Sequence, residues 1–132
     1  MKLEGRTITP GRVEGEALVT DRAISFFGGV DPETGVVTEK GHPLEGLSVA
    51  DRVLVFPTGK GSTVGSYTIY RLKWNGVAPR AIVNAECETI TAVGCIMAEI
   101  PCVDQVPIER LETGMRLVVD GQAGTVEVTP DK

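Results

Sequence analysis

A chain of 132 residues can bury roughly 65–70% of its unfolded surface in one core, so it reads as a single domain spanning 1–132. With 42% hydrophobic and 23% charged residues and no run near 18 apolar positions, disordered and membrane-spanning classes are excluded. Eighteen acidic against thirteen basic residues give a net charge of −5 with no basic run, which argues against nucleic acid as a partner.

The opening MKLEGRTITP lacks the apolar region of a signal peptide, and a cytoplasmic location is expected. Glycine and proline then punctuate the chain every eight to twelve residues, with short β-branched runs between them, which favours many strands and few helices. Arg6–Thr9, a PGRVEG turn and Glu16–Thr20 predict a hairpin. Phe26-Phe27-Gly28-Gly29-Val30-Asp31-Pro32 predicts an irregular loop, Val36–Thr38 a short strand, and Arg52–Phe56 a buried strand. From Ser62 to Trp74 no proline occurs and Val64, Tyr67, Tyr70 or Arg71, and Trp74 fall at helical spacing, predicting a helix with Ser62 or Thr63 as its N-cap. Ala81–Asn84 reads as a buried strand, Glu88–Ala98 as a second helix, Ile100–Val103 as strand-like, and Met115–Val119 with Thr125–Val128 as a terminal hairpin. Strands alternating with two helices make a layered α/β domain.

The stretch PTGKGSTVGSY, residues 57–67, joins a strand to a helix start through a glycine-rich loop. Such a junction collects outward-pointing amides and the positive end of a helix dipole, which suits an anion. Neither familiar nucleotide motif is present: Lys60 is followed by Gly61 rather than Ser or Thr, and Val64 stands where the dinucleotide pattern needs its third glycine. Two readings of the loop stand, a helix cap with a flexible approach and a reactive Ser62. A serine hydroxyl reacts only when activated, and the helix start contributes at most about 2 kcal/mol, roughly 1.5 pKa units. The remaining activation would come from a metal-bound substrate or from cations on another chain. His42, beside Pro43, reads as a structural or surface residue. Cys87, Cys95 and Cys102, with apolar or small neighbours and no CxxC pair, read as buried reduced thiols and not as a zinc site.

Two family resemblances sharpen these readings. ETITAVGCIMAEIPCVDQ followed by ETGMRLVVDGQAGTVEV resembles the swivelling phosphohistidine domain of the PEP-utilising phosphotransfer enzymes. Ile90 stands where that domain carries its histidine, so the resemblance implies the swivelling β/β/α scaffold without the phosphocarrier activity. SFFGGVDPETGVV, GHPLEGLSV and VLVFPTGKGSTVGSYTIYRL, in order and spacing, resemble the small subunit of the aconitase X family.

That second resemblance implies a hydro-lyase. A large subunit would hold an iron–sulfur cluster, of [4Fe-4S] type in family terms, while this chain would hold none. The small subunit would supply Ser62 to take a proton from carbon as hydroxide leaves to iron. In the archaeal branch the substrate would be (R)-5-phosphomevalonate and the product trans-anhydromevalonate 5-phosphate, a step of an isoprenoid pathway. Lys60 is a candidate phosphate or carboxylate contact or a solvated lysine; Gly61 and Thr63 flank the serine. Gly28, Gly29 and Asp31 are candidates for lining the same cleft or simply for forming a turn. Aconitase itself follows its serine closely with an arginine, whereas Thr63, Val64 and Gly65 follow here, so carboxylate recognition must come from elsewhere. The alternatives are a cis-3-hydroxy-L-proline dehydratase small subunit and a non-catalytic module that binds an anion or docks a partner.

Overall fold

The computed structural model describes residues 1–129. Its elements run β1 (Lys2–Glu4), β2 (Arg6–Thr9), β3 (Arg12–Val19), a single kinked turn α1 (Phe26–Gly29), β4 (Val53–Phe56), α2 (Gly65–Trp74), β5 (Ala81–Asn84), α3 (Thr89–Ala98), β6 (Cys102–Asp104), β7 (Arg116–Asp120) and β8 (Thr125–Val128). The strands form one order, β1-β8-β7-β3-β4-β5-β6-β2. β1 and β2 are neighbours in sequence yet lie at opposite ends of that order, so the sheet wraps over on itself.

β3 joins the two halves of the wrap. Arg12–Glu16 pair antiparallel with β7, whereas Ala17–Val19 pair parallel with Val53–Val55 of β4. β4, β5 and β6 continue in parallel, and each crossover carries a helix. Strand alternation then sorts side chains into two cores. Leu54, Phe56 and Ile82 pack with Ile69, Leu72 and Cys95 of the helices. Val53, Val55, Ala81 and Val83 face the other way, onto Leu117, Val119 and Val126 of the folded-over half. The result is a sheet, a second sheet and a helix layer, which is the β/β/α architecture expected. Each fully buried Leu, Ile or Phe in these cores is worth about 1.5–3 kcal/mol over its exposed state.

Three local expectations are corrected. The Arg6–Thr9 strand is not half of a hairpin: β2 pairs with β6, and both edges of β3 are occupied by β7 and β4. A turn signature reports a change of direction but not which strand accepts the hydrogen bonds. Val36–Thr38 makes only isolated bridges, Val30 with Val37 and Val36 with Ser48. The second helix of the chain begins at Gly65 with Val64 at the N-cap and no side-chain cap bond, not at Ser62 or Thr63. The Ser62 hydroxyl instead accepts the Val64 amide at 3.1 Å, and the Gly65 amide donates to the Ser62 carbonyl, so a tight turn precedes the helix. β1 was not anticipated, because Leu3 is its only apolar residue; it forms by pairing with β8. No helix among the described residues is long and apolar enough to cross a membrane.

Candidate active-site cleft

β4 and β5 run parallel, so the loops that leave their carboxyl ends meet at one edge of the sheet, the usual place for a site in open α/β folds. The Pro57–Val64 loop is held there from both sides. On the β5 side, Asn84 Nδ2 donates to the Phe56 carbonyl at 3.0 Å, and the Ala85 and Glu86 amides donate to the Pro57 carbonyl at 3.1 and 3.0 Å. Opposite, the Ile24 amide donates to the Thr58 carbonyl at 3.2 Å and the Lys60 amide to the Ile24 carbonyl at 3.0 Å.

Glycines are required where these walls close in. A Cβ at Gly59 would collide with Glu88 Oε1 and Thr91 Oγ1. Gly61 has φ of +99°, and a Cβ there would stand 2.5 Å from Ser25 Oγ. The adjacent phenylalanines divide their work. Phe26 is buried and meets Phe56 edge-on, with ring centroids 5.8 Å apart, an arrangement worth about 0.5–1.5 kcal/mol beyond burial. Phe27, 54% exposed, turns outward.

A cleft of about 360 Å³ results, lined by Ser25, Phe27, Gly28, Glu39, Lys60 and Gly61, with Gly29 completing its wall. A second cleft of about 340 Å³ shares Phe27 and Gly28 and adds Asp31, Thr38, Thr68 and Arg71. The structure thus brings together Lys60, Gly61, Gly28 and Gly29, and sets Asp31 in the adjoining space. Ser62 and Thr63 are exposed and follow Gly61 at the rim; they do not line either cleft. Sequence reasoning missed Ser25, Phe27, Glu39 and Arg71. Ser25 and Phe27 belong to the SFFGG segment, whereas nothing local marks Glu39 or Arg71. A larger cleft of about 510 Å³, lined by residues that include Arg12, Asp51 and Arg80, lies at the amino ends of β4 and β5, away from this loop.

The electrostatics distinguish two helix starts. At α3, Glu88 caps its own helix: the Ile90 amide donates to Oε2 at 2.9 Å and the Thr91 amide to Oε1 at 2.7 Å. At α2, no acidic residue occupies the first turn, and the Val64, Gly65, Ser66 and Tyr67 amides already donate to the Ser62 hydroxyl and to the Ser62, Thr63 and Val64 carbonyls, so the helix offers an anion its dipole but no free amide. Lys60 Nζ lies 3.2 Å from Glu39 Oε2, both partly exposed. His42 is buried, accepting the Leu44 amide at Nδ1 and sitting 3.1 Å from the Ala23 carbonyl at Nε2, which suits the Nε2–H tautomer and a structural role.

No group of three His, Cys, Asp or Glu among the described residues is placed to hold a metal ion. Cys95 and Cys102 are buried, Cys87 is half-buried, and the Cys87 and Cys102 sulfurs are 3.9 Å apart. The hydrogen bond with Cys102, and then burial, push the Cys87 thiol well above its ordinary range. Burial and mutual hydrogen bonding keep Cys87 and Cys102 protonated, and among the described residues the three cysteines form no group that fits an iron–sulfur cluster.

The family model described as the aconitase X swivel domain matches residues 2–128. The chain is 53% identical to the phosphomevalonate dehydratase small subunit of Thermococcus kodakarensis over 99% of this chain and 98% of that one. It is 56% identical to the protein of the same name from Archaeoglobus fulgidus, covering 97% and 98%. Among solved structures, the crystal structure of Thermococcus kodakaraensis aconitase X in its holo-form superposes with a TM-score of 0.97 at 52% identity, covering 98% of this chain and 99% of that one. The swivel architecture, the glycine loop at the sheet edge and near-complete matches in both directions agree: the chain belongs to the aconitase X swivel-domain family.

Proposed function

We propose that this chain is the small subunit of a phosphomevalonate dehydratase, a hydro-lyase that converts (R)-5-phosphomevalonate to trans-anhydromevalonate 5-phosphate in the cytoplasm. The observation that carries this reading is the 53% identity, over nearly the whole of both chains, to the relative of that name. In this reading Ser62 is the base. Its oxygen, as the alkoxide, takes the proton from carbon, the C–H electron pair becomes the new double bond, and hydroxide leaves the neighbouring carbon. That hydroxide and the serine proton make up the water lost.

The features that support a base at this position are the exposure of Ser62, the Val64 amide already donating to its oxygen, and the dipole of α2, whose first turn holds no acidic residue. That field is worth at most about 2 kcal/mol, so further cationic groups must come from the partner subunit. Lys60 would exchange Glu39 for a substrate phosphate or carboxylate, while Gly61, Thr63, Gly28, Gly29 and Asp31 would line the approach. An iron–sulfur cluster belongs to the large subunit in this reading, since the cysteines of this chain do not fit one.

The test is anaerobic dehydration of 5-phosphomevalonate by the large subunit combined with wild-type or Ser62→Ala chain, after folding and binding of both are confirmed. Loss of about 10²–10⁴-fold in kcat with binding retained is expected for a general base. Near-normal turnover would leave Ser62 as a turn residue. Turnover of cis-3-hydroxy-L-proline alone would replace the substrate.

A further inference from the structure

The cleft of about 510 Å³ at the amino ends of β4 and β5 has no part in the chemistry above. Both strands are four residues long, so it stands about 13 Å along them from the serine loop. Five charged side chains line it. Arg12 opens β3, Lys73 lies in the last turn of α2, and Arg80 immediately precedes β5. Asp51, ahead of β4, and Glu99, the C-cap of α3, add two carboxylates. The ion pairs among the described residues employ Arg6, Arg52, Lys60 and Arg116, and none of these five. Acidic residues outnumber basic ones 18 to 13 in this chain, so partners are plentiful, yet three cations share one cleft unpaired. Lys73 has a local reason, the negative end of its helix; Arg12 and Arg80 sit beside strands and have none.

The backbone beneath these side chains is fixed. The Asp51 amide donates to the Ala78 carbonyl at 3.1 Å and the Arg80 amide to the Arg52 carbonyl at 2.8 Å, which laces the two strand entries together. Gly15 of β3 gives the Arg80 stem its seat, since a Cβ there would stand 3.1 Å from Arg80 Cδ. Gly11, at φ of +122°, lets Pro101 close the wall, because a Cβ would meet Pro101 Cγ at 2.7 Å.

Three cations around one cleft repel one another, and two carboxylates offset that only in part. A phosphate dianion removes the excess, and the guanidinium fork matches its oxygens bidentately. The carboxylates would repel the same phosphate, so they serve another part of the ligand. An ionised carboxylate only accepts hydrogen bonds, and hydroxyl groups are its neutral donors, as where an acidic side chain takes ribose hydroxyls in dinucleotide-binding folds. The volume lies within the roughly 300–1,000 Å³ of small-molecule sites and leaves room beyond a phosphate group. We infer that this cleft binds a phosphate ester whose remainder carries hydroxyl groups, with Arg12, Lys73 and Arg80 on the phosphate and Asp51 and Glu99 on the hydroxyls. The inference is independent of the functional reading above.

The test is calorimetric titration of the full chain with ribose 5-phosphate and, separately, with inorganic phosphate. Expected are saturable one-to-one binding, tighter for ribose 5-phosphate, and about tenfold or greater weakening of both by Arg12→Gln and by Arg80→Gln, the loss of one charge-assisted hydrogen bond. Asp51→Asn, which suits the left-handed backbone there, should lower the preference for ribose 5-phosphate over phosphate. Lys60→Gln, the control for capture at the serine loop, should bind as wild type does. In the ¹⁵N-labelled wild-type chain the Gly11, Gly76 and Arg80 amides should shift on titration while Gly61 stays; this arm needs no substitution, so it decides even if a variant fails to fold. Absence of saturable binding would overturn the site. Binding lost in Lys60→Gln but kept in both arginine variants, or shifts at Gly61 instead, would place the anion at the serine loop and overturn it as well. Equal affinity for the two probes would overturn the ligand class.

Discussion

Gly61→Ala isolates the strain on which the serine loop depends. At φ of +99° an L-residue costs about 1–2 kcal/mol relative to glycine. The new Cβ would also stand 2.5 Å from Ser25 Oγ, a hydroxyl that donates to the Phe27 carbonyl at 3.1 Å. Ser25 can rotate away, but then surrenders that hydrogen bond, worth about 0.5–1.5 kcal/mol net. The expected destabilisation is therefore about 1.5–3.5 kcal/mol, read as a lower urea midpoint at unchanged slope. Ser25→Ala alone loses the same hydrogen bond and costs about 0.5–1.5 kcal/mol, but in the Gly61→Ala background, where the hydroxyl has already surrendered it, Ser25→Ala should cost almost nothing further. Turnover with the large subunit should fall in Gly61→Ala because Ser62 is the next residue. A wild-type urea midpoint for Gly61→Ala would refute the strain argument, and strict additivity of the two substitutions would refute the Ser25 contact.

Three further outcomes follow from the same geometry. Gly94→Ala places a Cβ 2.9 Å from the Ile69 Cβ, an atom fixed to the backbone; overpacking of about 1–3 kcal/mol is set against a gain in helix propensity of about 1, so a net loss of up to about 2 kcal/mol is expected in urea unfolding. Lys60→Gln removes an exposed ion pair with Glu39, so stability should change by less than about 1 kcal/mol while KM for the phosphorylated substrate rises and kcat holds; an unchanged KM would return Lys60 to the solvated surface. Because the folded-state thiol of Cys87 is held above its ordinary value of 9.0, the unfolded chain releases that proton first. Its stabilisation is full below about pH 9 and declines as pH rises beyond it, so Cys87→Ala should flatten the alkaline loss of stability measured by urea unfolding at successive pH values.

Local pattern sufficed for much of this molecule. The apolar runs Val53–Phe56 and Ala81–Val83 are buried on both faces, and such runs announce central parallel strands whatever surrounds them. Glu88 before a charge-free segment marks α3, and the VDGQAG loop closes the terminal hairpin because its pairing partner is adjacent in sequence. The glycine loop, its serine and the absence of either nucleotide motif are all legible without coordinates, since they depend on residue types within a few positions of each other.

Tertiary structure decided what depends on distant partners. β2 finds its hydrogen bonds on β6, nearly a hundred residues away, so a turn signature between β2 and β3 cannot specify a hairpin. Glu39 reaches Lys60, and Arg71 reaches the cleft beside Asp31, only because α2 folds back across the loop that follows Ser25. The exposed side of α2 is likewise decided by what packs against that helix. Tyr67 and Trp74 at helical spacing predict a helix from sequence alone but not which side of it is covered; Ile69 and Leu72 occupy the inward side and leave the aromatics in water. Backbone propensity and hydrophobic period act over one or two turns and are written in the chain itself; which face is covered, and by what, depends on contacts that exist only once the layers have assembled.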